Sequence, residues 1–261
     1  MNRIALHQSA VHPLDPVQVV AIARDAGLDS IGVRVESGPA SDDVREWWAK
    51  GIGSPMLRDL VAALLAARVT VLDVGRVELG KGLEVLDGRE PYMRVLEIGV
   101  RLGAQFVTSR ASAGGLTQAR ERFALLADLA ARFGLRPLVT AVTGTAVASV
   151  EDAVAVVEGT AGGVVLDLPA AAGFTRDELD VRIVELGDVL GYVRVPAHDL
   201  ETGALAPGLL ATLPPQVPVA IGGEMPGGHA GDVDADHVRR VRDLRTAVDA
   251  LLRHPRAAAD R

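Results

Sequence analysis

Eight short apolar runs in this chain each end in a polar residue. The residues at those ends are His7, Arg34, Asp73, Arg110, Thr140, Asp167, Arg194 and the Gly222-Gly223-Glu224 turn. Histidine titrates nearest neutrality, so His7 is a candidate general acid or base. Asp167 is a second candidate proton carrier, and Asp73 could orient substrate hydroxyls. Arg34, Arg110 and Arg194 keep their charge at any relevant pH. Each offers a fork of donors that matches a carboxylate or a phosphate. Arg194 could also stabilise charge developing on an enolate oxygen. Thr140 adds a hydroxyl, and His198 and Glu224 lie just beyond the seventh and eighth runs.

Such residues act together only if the fold brings the ends of the runs to one place. The runs read as strands at 3–8, 30–34, 70–74, 105–109, 136–140, 163–168, 191–195 and 218–221, each short and rich in aliphatic residues. Helical spacing of apolar residues fills the gaps, over 16–25, 56–67, 91–101, 116–132, 150–157 and 236–253. A weaker helix is expected over 177–186 and a short one around 207–213. Gly27, Gly103 and Gly134 each follow a helical run, where glycine terminates a helix without steric penalty. Ser54-Pro55 and Ser149 read as helix starts.

Strand–helix alternation repeated about eight times predicts an α/β chain closed as a (β/α)8 barrel, one domain over residues 1–261. An open doubly wound sheet is the alternative, but no GxGxxG turn follows the first strand. In a barrel, chemistry sits where the strands end at their carboxyl side. Those are the positions that carry the polar set.

Composition limits the partners. Hydrophobic residues make up 49% of the 261, aromatic ones only 3%, and the formal net charge is -7. The core must be built from Ala, Val, Leu and Ile, and the charge gives no reason to expect nucleic acid or an anionic membrane. The absence of cysteine excludes disulfides, thiolate metal sites and a cysteine nucleophile. The first residues lack the apolar stretch of a secretory signal, and no stretch reaches a membrane span, so a cytoplasmic chain is expected. Three readings stay open for Trp47-Trp48: a lid over the mouth, a homodimer contact, or packing beneath a long loop.

ALHQSAV at the first strand, IGVR at the second, and the blocks LVTAVTGTAVASVEDAVAVVE, VVLDLPAAAGF and LGYVRVPAHD resemble the sugar phosphate isomerase/epimerase family. This is the xylose isomerase-like TIM barrel group, which shares its fold with family 2 apurinic endonucleases. The resemblance implies proton transfer on a hydroxy-carbonyl substrate, commonly with a divalent metal at the barrel mouth. It places metal ligands at Thr140, Asp167, Ala170, Arg194 and Gly222, and of these only Asp167 matches the family pattern, Thr140 offering a hydroxyl, Arg194 no ligand and Gly222 no side chain.

A hard divalent cation wants several oxygen ligands and anionic charge, and a guanidinium in that place repels it. The expectation is therefore that Arg194 occupies the metal's volume, pairs with Asp167, and that no cofactor is bound. The alternative is a divalent metal held by Asp167, His198 and Glu224. The resemblance favours an isomerase, epimerase or lyase acting on a small polar hydroxy-carbonyl substrate, and Arg34, Arg110 and Arg194, if all point into the mouth, suggest that the substrate carries a carboxylate or phosphate. A barrel without catalysis, serving as a binding or accessory subunit, remains the other reading, and DNA repair is disfavoured by charge and by the missing ligands.

Overall fold

A computed structural model describes residues 3–11, 14–35, 54–169, 172–223 and 235–253. Its eight strands are β1 (Ile4–His7), β2 (Ser30–Arg34), β3 (Thr70–Glu78), β4 (Phe106–Arg110), β5 (Arg136–Thr140), β6 (Gly163–Asp167), β7 (Leu190–Pro196) and β8 (Val219–Gly222). All pair in parallel and in chain order, and β8 returns to β1. The closed barrel expected from the alternation is the one observed.

The helices among the described residues are α1 (Pro16–Ala26), α2 (Pro55–Ala67), α3 (Glu90–Leu102), α4 (Leu116–Ala131), α5 (Val150–Val157), α6 (Arg176–Leu186), α7 (Ala197–Glu201) and α8 (Ala235–Leu252). Their starts are chemically marked. The Ser54 hydroxyl accepts the Leu57 N–H, and Ser149 and Asp152 cap each other reciprocally. Gly27 and Gly103 close α1 and α3 in the left-handed conformation, as their positions predict. One expectation fails: residues 207–213 form turns, and the helix after β7 is α7. Gly208 at a φ of 76° and the prolines at 214 and 215 suit a turn rather than a helix. No helix among the described residues is long and apolar enough to cross a membrane.

The pleat explains how this barrel builds a site. Ala5, Leu72, Phe106, Leu138, Val165, Tyr192 and Ala220 form an apolar layer inside the barrel, one residue from every strand except β2. Side chains on a strand alternate with period two, so the next inward position lies two residues on. Those positions are His7, Thr108, Thr140, Asp167, Arg194 and Gly222. A polar layer thus sits directly on an apolar one.

Two bulges adjust this scheme. β3 inserts Leu72 between the residues paired with Ile31 and Gly32, which brings Asp73 inward beside Leu72. β7 inserts Gly191 between the partners of Val164 and Val165, which turns Tyr192 inward. Outward residues such as Val193 and Val195 pack instead into the large core between sheet and helices.

Candidate active site

The polar layer opens into a cavity of about 550 Å³ at the carboxyl ends of the strands. His7, Ser9, Arg34, Arg76, Thr108, Asp167, Arg194 and Gly222 contribute to its walls. Among the described lining residues, three guanidinium groups face one carboxylate, so the cavity is electropositive in an otherwise acidic chain. Low-dielectric walls of one sign concentrate ions of the other.

Arg194 and Asp167 are neighbours in register across β6 and β7. Arg194 Nε donates to Asp167 Oδ1 at 2.5 Å, and Nη2 donates to Oδ2 at 2.6 Å. This bidentate pair is the one anticipated from the sequence. Burial works against the guanidinium's charge, but Asp167 outweighs it and raises the Arg194 pKa above its ordinary value.

Gly222 makes room for this side chain. A Cβ there would lie 2.6 Å from Arg194 Cδ and 2.8 Å from Cγ. The arginine stem thus fills the space beside β8 that any side chain at position 222 would need. Gly222→Ala is expected to push Arg194 off Asp167 and to destabilise the fold by about 1–2 kcal/mol. Urea unfolding checks this, and in an Arg194→Ala background the penalty should disappear, because the two atoms no longer compete.

His7 is buried between charges and apolar walls. Its Nδ1 accepts the Ser9 backbone N–H at 3.2 Å and lies 2.7 Å from Ser9 Oγ, so the proton of the neutral ring sits on Nε2. Nε2 in turn lies 3.8 Å from Asp73 Oδ2. Burial first, then Arg194, Arg34 and Arg76, push the His7 pKa down to about 3. His7 is therefore uncharged at neutral pH. The histidine expected as a general acid or base lines the cavity, and its surroundings move its titration away from neutrality.

Asp73 takes that place. It is buried, and burial pushes its pKa up to about 6, against the opposing pull of Arg194 and of hydrogen bonds from Tyr192 and Thr108. Tyr192 Oη and Thr108 Oγ1 each donate to Oδ2 at 3.3 Å, while Oδ1 has no hydrogen-bond partner. A Cβ at Gly32 would come within 2.4 Å of both Asp73 Oδ1 and His7 Cδ2, so glycine on β2 is what lets these two groups meet.

Other expected site residues lie elsewhere. Asp73 is not at a strand end, because β3 runs on to Glu78. Arg110 turns aside: its Nε donates to Glu78 Oε2 at 2.9 Å, and it does not line the cavity. Thr140 belongs to the polar layer but is buried, with Oγ1 unpartnered and no share in the cavity wall. His198 is exposed on α7, away from the cavity. Arg34 does line it. Glu224, Ala170 and Trp47-Trp48 fall outside the described residues.

Arg76, Ser9, Thr108 and Tyr192 join the site without having been singled out. Tyr192 shares the inward face of β7 with Arg194 by simple alternation, so its signal was present. Arg76 was hidden by ending the third strand at Val74.

The described residues do not fit the metal that the resemblance implies. Both oxygens of Asp167 are taken by Arg194, and no group of three His, Asp or Glu among the described residues could hold a metal ion.

No protein-family model matches the chain, and no curated protein matches it. Solved structures do. The chain is similar to a D-psicose 3-epimerase crystallised with D-fructose, at 14% identity, 97% coverage of this chain, 100% of that one and a TM-score of 0.69. It is similar to the IOLI protein with a bound zinc atom, at 13% identity, 97% and 98% coverage and a TM-score of 0.69. A xylose isomerase domain protein from Salmonella typhimurium aligns at 13% identity, 97% and 98% coverage and a TM-score of 0.66. The closed eight-strand barrel and these likenesses together establish that the chain has the xylose isomerase-like (β/α)8 barrel fold.

Proposed function

We propose that this barrel is an enzyme that moves a proton on a small, anionic hydroxy-carbonyl compound, as an isomerase, epimerase or lyase, and does so without a divalent metal. The observation that carries this reading is the convergence of Arg34, Arg76 and Arg194 with Asp167 on one cavity. A carboxylate or phosphate on the substrate would meet Arg34 and Arg76. Arg194 has donors left over after pairing with Asp167, and these can hold the oxygen of a developing enolate. Solved sugar epimerases share the fold, which supports a reaction of this class.

A second reading has one specific observation in its favour. Asp167 is engaged through both oxygens and His7 is held neutral, so the cavity wall itself offers no ready base among the described residues. The barrel would then bind an anion without transforming it.

Solvent exchange separates the two. Small hydroxy acids, keto acids and sugar phosphates are incubated with the protein in deuterium oxide and followed by NMR, with and without a chelator. The enzyme reading expects deuterium at carbon in at least one compound, unaffected by chelation. A compound that binds but never exchanges supports the second reading. Exchange abolished by the chelator, or tight stoichiometric uptake of Mg, Mn or Zn in calorimetry, contradicts metal independence.

A further inference from the structure

Proton transfer needs a base, and among the described residues the cavity wall offers none that is unengaged. One lies behind it. Ser9 and His7 line the cavity, whereas Asp73 is buried beneath them. Ser9 Oγ is 2.7 Å from His7 Nδ1, and His7 Nε2 is 3.8 Å from Asp73 Oδ2. Three polar side chains thus run in line from the cavity to the barrel interior. The last of them keeps one oxygen without a partner in a place from which water is excluded. An unsatisfied buried carboxylate oxygen is costly, and its persistence calls for a role.

We propose that Ser9, His7 and Asp73 form a proton relay that ends on Asp73, the group that stores the proton removed from the substrate. The proposal rests on the enzyme reading for its catalytic meaning. In the forward step the substrate C–H bond breaks and its proton passes to Ser9 Oγ. The Ser9 hydroxyl proton passes to His7 Nδ1, and the Nε2 proton passes to Asp73 Oδ2. The electron pair of the C–H bond forms the new C=C bond, and the π pair of the carbonyl moves onto its oxygen, facing Arg194. Serine ends as it began, the imidazole ends as its other neutral tautomer, and the carboxylate becomes a carboxylic acid. Net charge inside the site is unchanged, since one anion is lost on Asp73 and one is gained on the substrate. The reverse shift returns the proton.

The surroundings favour this direction. His7 is buried and faces Arg194, Arg34 and Arg76, so a further proton does not rest on the ring. Asp73 faces His7 from β1 and Tyr192 and Arg194 from β7, with the Thr108 hydroxyl donating from β4 and no side chain at Gly32 on β2. For direct transfer, Nε2 and Oδ2 must close to hydrogen-bond range, a movement of about 1 Å. Asp73 acts through His7 and never touches the substrate. It is a positioning and storage residue.

The relay is tested on the full chain without substrate, by histidine-selective 15N labelling and long-range 1H–15N NMR across pH 4.5 to 8, with His7→Gln assigning the signals. The expected result is a neutral His7 throughout, protonated on Nε2 above a midpoint near pH 6 and shifted toward the Nδ1 tautomer below it, where Asp73 holds the proton. This shift should vanish in Asp73→Asn and move to higher pH in Thr108→Val, which removes one donor to the carboxylate. Should Asp73→Asn fail to fold by circular dichroism, Thr108→Val carries the test. Ser9→Ala should leave the midpoint in place but slow exchange between the two His7 tautomers by about tenfold or more, read as line broadening of the ring signals near the midpoint, because it cuts the path by which Nδ1 gains and loses its proton. A His7 that becomes imidazolium in this range, a midpoint indifferent to both carboxylate variants, or an exchange rate indifferent to Ser9→Ala would each overturn the relay. Absence of carbon exchange on every substrate would defeat the enzyme reading instead, and leaves these NMR results to be judged separately.

Discussion

Arg194→Met is expected to weaken binding of inorganic phosphate or a small hydroxy acid by about 100-fold, as measured by calorimetry. Two effects add. The cavity loses one of its three guanidinium groups, and Asp167 is released as an uncompensated carboxylate within it. Truncating one partner of a hydrogen-bonded charge pair in such a setting costs about 2–5 kcal/mol, much of it from the charge left behind. Arg194→Lys keeps the charge but not the fork. It should recover only part of the loss, roughly a factor of ten, because an ammonium cannot hold both carboxylate oxygens and still face a ligand. Anion affinity unchanged in Arg194→Met would make the pair a structural strut and remove the main support for the proposed function.

The pH dependence of stability should show two opposing slopes. Asp73 has a folded pKa of about 6 against an ordinary 3.8, so the folded state binds this proton more tightly than the unfolded chain. Its contribution is fully present below the unfolded value and is lost as pH rises to about 6, a change of roughly 3 kcal/mol. His7 has a folded pKa of about 3 against 6.5, so the unfolded chain takes a proton that the fold refuses. Its contribution is fully present above the unfolded value and is lost as pH falls toward 3, by up to about 5 kcal/mol. Between about pH 4 and 6 the two nearly cancel. Urea unfolding at several pH values should therefore show Asp73→Asn losing stability more steeply on acidification than the parent. His7→Gln should instead lose stability as pH rises through this window. A His7→Gln profile parallel to the parent would mean that the fold does not hold the ring neutral.

How much of this was legible in the sequence follows from what determines each feature. The barrel was legible because it depends on alternation and on strand length, which the order of apolar and polar residues records directly. The Arg194–Asp167 pair was legible because the two residues lie near the carboxyl ends of adjacent strands, and adjacency is fixed once the strand order is known. The placement of Asp73 was not, since the insertion of Leu72 leaves no mark that distinguishes it from an ordinary strand residue. Arg76 was missed for a related reason: Gly75 interrupts the aliphatic run and reads as a strand end, yet β3 continues past it. The state of His7 was out of reach, because it is set first by burial and then by three arginines from distant parts of the chain. Local sequence reports what a side chain is, while its proton affinity depends on what the fold sets around it.

The join between the first and last strands has a consequence for how the molecule assembles. β1 meets β8 through Ile4–Val219, Ala5–Ala220 and Leu6–Ile221, and Arg242 and Arg245 on α8 donate to the carbonyls of Asp25 and Ala26 at the end of α1. Every other neighbouring pair can form as the chain lengthens during synthesis. This suture waits for partners more than two hundred residues apart, so until β8 emerges the nascent sheet carries two raw edges able to recruit strands from other chains. The arginines of the final helix act as the clasp that ends this exposure.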